Sequence, residues 1–243
     1  MKILAHRGAS ARAPENTLAA FRAAVEERAD GVELDVRICA SGEVVVCHDP
    51  TLQRLAGVGW EVALTPWWKL RRADVGTRLG FGAAAIPLLE EVLAFLPASL
   101  LINVELKCER ADDGGLVART VEVIRAARAE ERVVLSSFDP LCLLRLAAIA
   151  PTLRRGYLVD PDRSFAVHGL VLAPAVSNFS VHPHSTEITA PRVRRWKGAG
   201  VRIAAWTVDE AEEARRLQSL GVDYLITDRP ADIRGALRSR GRA

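Results

Sequence analysis

The chain has no CxxC pair: its four cysteines, Cys39, Cys47, Cys108 and Cys142, are scattered along 243 residues. That spacing argues against a disulfide framework, and the four read as reduced thiols. Also missing is any run near the roughly 18 uncharged apolar residues of a membrane span. Only Lys2 to Ala5 stand between the first methionine and the polar His6, too few for the apolar core of a signal peptide. The expectation is a cytoplasmic protein with no stable membrane insertion. The net charge, +3, is small and dispersed, which gives no ground for a nucleic-acid partner. No G-x-G-x-x-G follows the first apolar run, which counts against a dinucleotide site there.

What the chain does have is alternation. Hydrophobic residues make up 49% and charged residues 26%, an ordinary globular balance with enough apolar material for one large core. Short β-branched runs (KILAH, GVELDVR, LLINVELK, VVLSSF, RRGYLV, VSNFSVH, VRIAAWTV and DYLITD) are separated by helical segments. These helices begin near Asn16, Pro87, Gly115, Pro140, Asp162, Ile188, Asp209 and Pro230. Eight strand–helix units in this length predict a single α/β domain over 1–243, a (β/α)8 TIM barrel. An open doubly wound sheet is the alternative the same alternation permits.

One segment, Ser41 to Pro87, is too long for an ordinary strand–helix loop. It reads as a small lobe, residues 50–86, inserted after the second strand on the C-terminal face, with Trp60, Trp67 and Trp68 as its apolar bulk. The basic run Arg234 to Arg242 reads as a frayed helical tail.

Active residues of such barrels sit at the C-terminal ends of strands. His6 and Arg7 end the first. Glu33 and Asp35 share one face of the second, and Asn103, Glu105 and Lys107 share one face of the third. Carboxylates crowded on a buried face repel unless a cation, a proton or an arginine intervenes. Three hard oxygen ligands suit Mg²⁺ or Ca²⁺ better than zinc, and Arg7 and Lys107 would then face an anion. His48 ends EVVVCHD, an extended segment with a polar terminus. Two histidines, three carboxylates and two basic side chains at strand ends suit phosphoryl chemistry, with one imidazole accepting a proton and the other donating one.

The ordered set HRG, PENT, ELD, HD, VELK, WTV and GVDYLITDRP resembles the glycerophosphodiester phosphodiesterase family, from Ile3 to about Pro230. The resemblance implies a barrel with an extra lobe and a divalent cation. It implies His6 and His48 as the acid–base pair, Glu33, Asp35 and Glu105 as metal ligands, Arg7 on the phosphate and Lys107 assisting it. The implied reaction is attack of the glycerol 2-hydroxyl on phosphorus through a cyclic phosphate, giving glycerol 3-phosphate. Glu15 is expected to orient Arg7 or a substrate hydroxyl, and Trp206 to wall the glycerol carbons or pack in the core. Asn16 either caps the first helix or serves the site; Asp209 and Asp228 are expected as helix caps, and His182 and His184 as loop residues. Gly8 is expected to let the loop bend around an anion. The rival readings are a lysophospholipase D-type enzyme, chemically akin to sphingomyelinase D-like enzymes, and a silent phosphoester-binding barrel. Head group, native cation and oligomeric state are left open by the residues.

Overall fold

The structure, a computed structural model, describes residues 1–108, 113–160 and 171–239. Eight parallel strands close into a TIM barrel: β1 Lys2–His6, β2 Gly31–Ile38, β4 Leu101–Leu106, β5 Val133–Ser137, β6 Arg154–Val159, β7 Ser180–Pro183, β8 Arg202–Ala205 and β9 Tyr224–Thr227. Closure is made by β1 against β2, with Leu4 opposite Gly31 and His6 opposite Glu33. A short strand, β3 Val44–Val46, runs antiparallel on β2, pairing Val36 with Val46 and Ile38 with Val44. The helix expected from Asp162 lies outside the described residues.

Alternation along each strand decides what faces where. Ile3 and Ala5, Val32, Leu34 and Val36, and Ile102, Val104 and Leu106 join the main core beneath the helices. The intervening residues point into the barrel. Low in the barrel these are apolar, with Leu4, Ala204, Tyr224 and Ile226 forming a plug. Toward the C-terminal mouth they become Glu33, Asp35, Asn103 and Glu105, all buried.

The first helix, Leu18–Glu26, buries Ala20, Phe21, Ala23 and Ala24, and Thr17 Oγ1 caps it by accepting from the Ala20 N–H at 3.3 Å. Val45 of β3 and residues that follow it form an apolar cluster of their own, with Cys47, Leu52, Leu55, Val62, Leu70, Val75 and Ile86. Trp60 and Trp67 pack against it, whereas Trp68 is 60% exposed. Two four-residue helices, Gln53–Ala56 and Trp67–Leu70, shape this segment. The last helix, Pro230–Arg238, is anchored rather than frayed over its described length: Ile233 is buried and Arg234 donates to Asp30 at 2.8 Å.

Gly8 has a packing reason of its own. Its φ is +81°, and an added β-carbon would lie 2.6 Å from the Ala20 carbonyl carbon, so the glycine admits the close approach of the first helix. Gly8→Ala should therefore lower the unfolding free energy by more than about 1 kcal/mol, read by urea denaturation. An unchanged midpoint would mean that the helix yields freely.

Candidate active site

The site begins where β1 ends. Arg7 and Asn16 both adopt left-handed backbone, with φ of 54° and 57°, and the loop between them folds the PENT segment back over the mouth. The Arg7 N–H donates to Glu33 Oε2 at 3.0 Å and its guanidinium to Glu15 Oε1 at 2.9 Å, with Nε 3.4 Å from Asp35 Oδ2. Asn16 does not cap the helix, a role taken by Thr17. Its amide donates to Asp35 Oδ2 at 2.8 Å and its carbonyl accepts from the Asp35 N–H at 3.3 Å.

Register between β2 and β4 sets Asp35 opposite Glu105 and Glu33 opposite Asn103. Ligand oxygens from Glu33, Asp35 and Glu105 lie within 4.8 Å of one another. Lys107 Nζ bridges two of them, 2.9 Å from Asp35 Oδ1 and hydrogen-bonded to Glu105 Oε1. Burial, then the charge of Asp35, pushes Glu33 well above the ordinary carboxylate range. Burial also raises Glu105, more than Lys107 lowers it. Asp35 is held low: Lys107 and Arg7 more than offset its burial. Three carboxyl groups crowded beside two basic side chains could together hold a metal ion.

Each histidine is backed by a carboxylate. His6 Nδ1 meets Asp228 Oδ1 at 2.7 Å, with Nε2 3.9 Å from Glu33. His48 Nδ1 meets Asp49 Oδ1 at 2.7 Å. Both line one cleft with Arg7, Glu33, Asn103, Glu105, Phe138 and Trp206. Burial alone would lower His6, but the Asp228 hydrogen bond and the Glu33 charge outweigh it and raise its pKa. His48 shifts the other way, because burial outweighs Asp35 and Asp49.

Asp228, Asp209 and His182 depart from what the sequence led one to expect. Asp228 is no helix cap: it holds His6 and accepts from Ser10 Oγ at 2.7 Å, while Glu27 accepts from the Ala231 N–H in the last helix. Asp209 does not cap either; Oδ1 accepts from Thr227 Oγ1 and from the Asp228 N–H, both at 2.8 Å. Glu15 is turned to Arg7 and to Arg54. Trp206 stands edge-on to Phe138 and His184 and donates to the His182 carbonyl at 2.8 Å. His182 is on β7, buried inside the barrel, with Nε2 2.7 Å from Ser180 Oγ. His184 bonds Thr186 Oγ1 at the rim. The sequence did not single out Arg54 as a partner of the site, although LQRL, two residues beyond HD, carries it.

Against known proteins, the model of the glycerophosphoryl diester phosphodiesterase family matches residues 6–232. The chain is 35% identical to a glycerophosphodiester phosphodiesterase of Caldanaerobacter subterraneus subsp. tengcongensis, covering 98% of both proteins. It is 28% identical to an Oleispira antarctica phosphodiesterase solved with sn-glycerol-3-phosphate, at a TM-score of 0.87 over 98% of this chain and 96% of that one. A glycerophosphodiester phosphodiesterase of Agrobacterium tumefaciens is similar at 28% identity and a TM-score of 0.80, covering 96% of this chain and 99% of that one.

Burial pushes the His182 pKa down to about 3, so the folded protein keeps this ring neutral while the unfolded chain protonates it below about pH 6.5. Its contribution to stability is therefore lost as pH falls from about 6.5 toward 3. Relative to wild type, His182→Gln should remove about 1.4 kcal/mol per pH unit of that acid-side slope, measured by urea unfolding at pH 6.5 and 5. Parallel profiles would place His182 in solvent exchange instead.

Proposed function

The chain belongs to the glycerophosphoryl diester phosphodiesterase family, and from that premise we propose that it hydrolyses water-soluble glycerophosphodiesters to glycerol 3-phosphate and an alcohol. The observation that carries this is the pair of carboxylate-backed histidines with opposite pKa shifts, lining one cleft beside three buried acids. Environments that push two titratable groups apart sort them into acid and base. His48, kept neutral, takes the proton of the glycerol 2-hydroxyl as that oxygen attacks phosphorus. His6, whose pKa the Asp228 hydrogen bond and the Glu33 charge raise against its burial, gives its proton to the departing alcohol. In the second step His6, now neutral, takes a proton from water, and His48 returns its own to the 2-oxygen as the cyclic phosphate opens. In-line displacement puts the attacking and leaving oxygens on opposite sides of phosphorus, which is why two imidazoles serve better than one.

Glu33, Asp35 and Glu105 would hold a divalent cation, Mg²⁺ or Ca²⁺, which supplies neutralising charge for the phosphoryl oxygens. Arg7 takes the phosphate, its guanidinium aimed by Glu15, and Lys107 adds positive charge from the far side of Asp35. Trp206 and Phe138 give the glycerol carbons an apolar wall. A second reading, a lysophospholipid substrate cleaved by the same chemistry, is favoured by Leu64 and Trp68, 67% and 60% exposed on the lobe.

Purified protein should release glycerol 3-phosphate from glycerophosphocholine, lose that activity to a chelator and regain it with Mg²⁺ or Ca²⁺. No release with either cation would overturn the proposal, and faster turnover of lysophosphatidylcholine would favour the lipid reading. His6→Ala and His48→Ala should each lower kcat by about 10²- to 10⁴-fold; a variant retaining full activity would remove that histidine from the mechanism.

The pH profile of kcat/KM should be a bell. Its acid limb reports protonation of His48, below the ordinary histidine value because that pKa is lowered. Its alkaline limb reports loss of the His6 proton, above that value because that pKa is raised. A single-limbed profile would contradict the division of roles.

A further inference from the structure

Arg54 lies on the helix Gln53–Ala56 of the lobe and is not among the residues lining the cleft. Its guanidinium nevertheless meets two carboxylates, each through two hydrogen bonds. Nε and Nη2 donate to Asp49 at 2.7 and 3.1 Å, and Nη1 and Nη2 donate to Glu15 at 2.8 and 2.7 Å. Those two acids are the partners of His48 and Arg7. Asp49 Oδ1 serves both His48 Nδ1 and Arg54, and Glu15 Oε1 serves both Arg7 and Arg54.

We propose that Arg54 is a positioning residue of the reaction assigned above. By clamping Asp49 and Glu15 together, it fixes the orientation of the His48 imidazole and the Arg7 guanidinium relative to each other. The clamp runs His48–Asp49–Arg54–Glu15–Arg7 and ends at Asp35, which Arg7 Nε approaches to 3.4 Å. It thus links the proton-handling and phosphate-binding halves of the site through the lobe.

The physical case rests on geometry more than on ion-pair strength. A half-exposed pair contributes little by itself, and Arg54 is 44% exposed. A planar fork engaging two carboxylates at once is different, because it fixes their separation and direction. Without it, Asp49 and Glu15 are like charges sharing one region with no cation between them. The His48 ring, 33% exposed, would then keep only a single mobile acid to hold Nδ1. Orienting a histidine through the partner of its other nitrogen is a general device.

The test compares wild type with Arg54→Met and Arg54→Lys, in kinetics on glycerophosphocholine and in NMR spectra of the His48 Nδ1 proton, assigned with His48→Asn. Arg54→Met should lower kcat by about 10- to 100-fold, the scale of a misplaced catalytic group, while the thermal transition remains cooperative. Arg54→Lys should recover only part of this, since an ammonium has no fork. In an Asp49→Asn background, Arg54→Met should cost less than about 3-fold further, because both changes cut the same chain. The Nδ1 proton resonance should broaden or shift in Arg54→Met and move back toward wild type in Arg54→Lys.

Full kcat in Arg54→Met, additive losses in the double variant, or an unmoved resonance would each overturn the role. The spectral readout needs no turnover. If wild type hydrolyses no glycerophosphodiester while the resonance responds, the assigned reaction fails and the clamp stands.

Discussion

Three carboxylates buried within reach of one another are the constraint around which the rest of this structure is arranged. Glu33, Asp35 and Glu105 lie at 3%, 1% and 7% exposure, where mutual repulsion and lost hydration both oppose ionisation. Much of the mouth is a response to that. Arg7 reaches Asp35 from β1, Lys107 bridges Asp35 and Glu105, and Asn16 accepts from and donates to Asp35. The left-handed turns at Arg7 and Asn16 make those contacts possible, and Gly8 between them lets the first helix close down on the loop. One side chain, Asp35, is kept fully ionised by its neighbours, while Glu33 and Glu105 are left with the deficit. The charge is thus uneven across three carboxyl groups whose oxygens lie close enough together that they could hold a metal ion.

The barrel keeps this arrangement from unravelling by separating its polarity along the axis. Leu4, Ala204, Tyr224 and Ile226 fill the floor, and the titratable groups gather toward the mouth. The two histidines stand in that gradient with different neighbours. Burial lowers both, but Asp228 and Glu33 outweigh it at His6, whereas at His48 burial, helped by Lys107 and Arg7, prevails over Asp35 and Asp49. The same residue type therefore has its pKa moved in opposite directions at two places in one cleft.

Much of this was legible in the chain. Alternation in GVELDVR and LLINVELK placed Glu33, Asp35 and Glu105 on inward faces, and strand β1 runs over KILAH as read. Roles that depend on distant partners were read wrongly. Asp228 and Asp209 looked like helix caps because a local motif, an aspartate ahead of a helix, suits that role. Yet Asp228 faces a histidine 222 residues away. His182 followed strand period onto an inward position, but its place at the end of a strand beside His184 read as a loop.

Residue order alone determined the eight barrel strands, the inward rows of acids and the early His6–Arg7 pair, because each follows from periods of two and 3.6 along a continuous stretch. Only tertiary structure decided which carboxylate backs which histidine and which cation meets which acid. It also placed one lobe arginine between two acids 34 positions apart. Those choices arise from barrel closure, which brings β9 beside β1, and from the approach of the segment after β3 to the loop that carries Glu15. Hydrogen-bond partners are selected there by distance in space, which local periodicity does not encode.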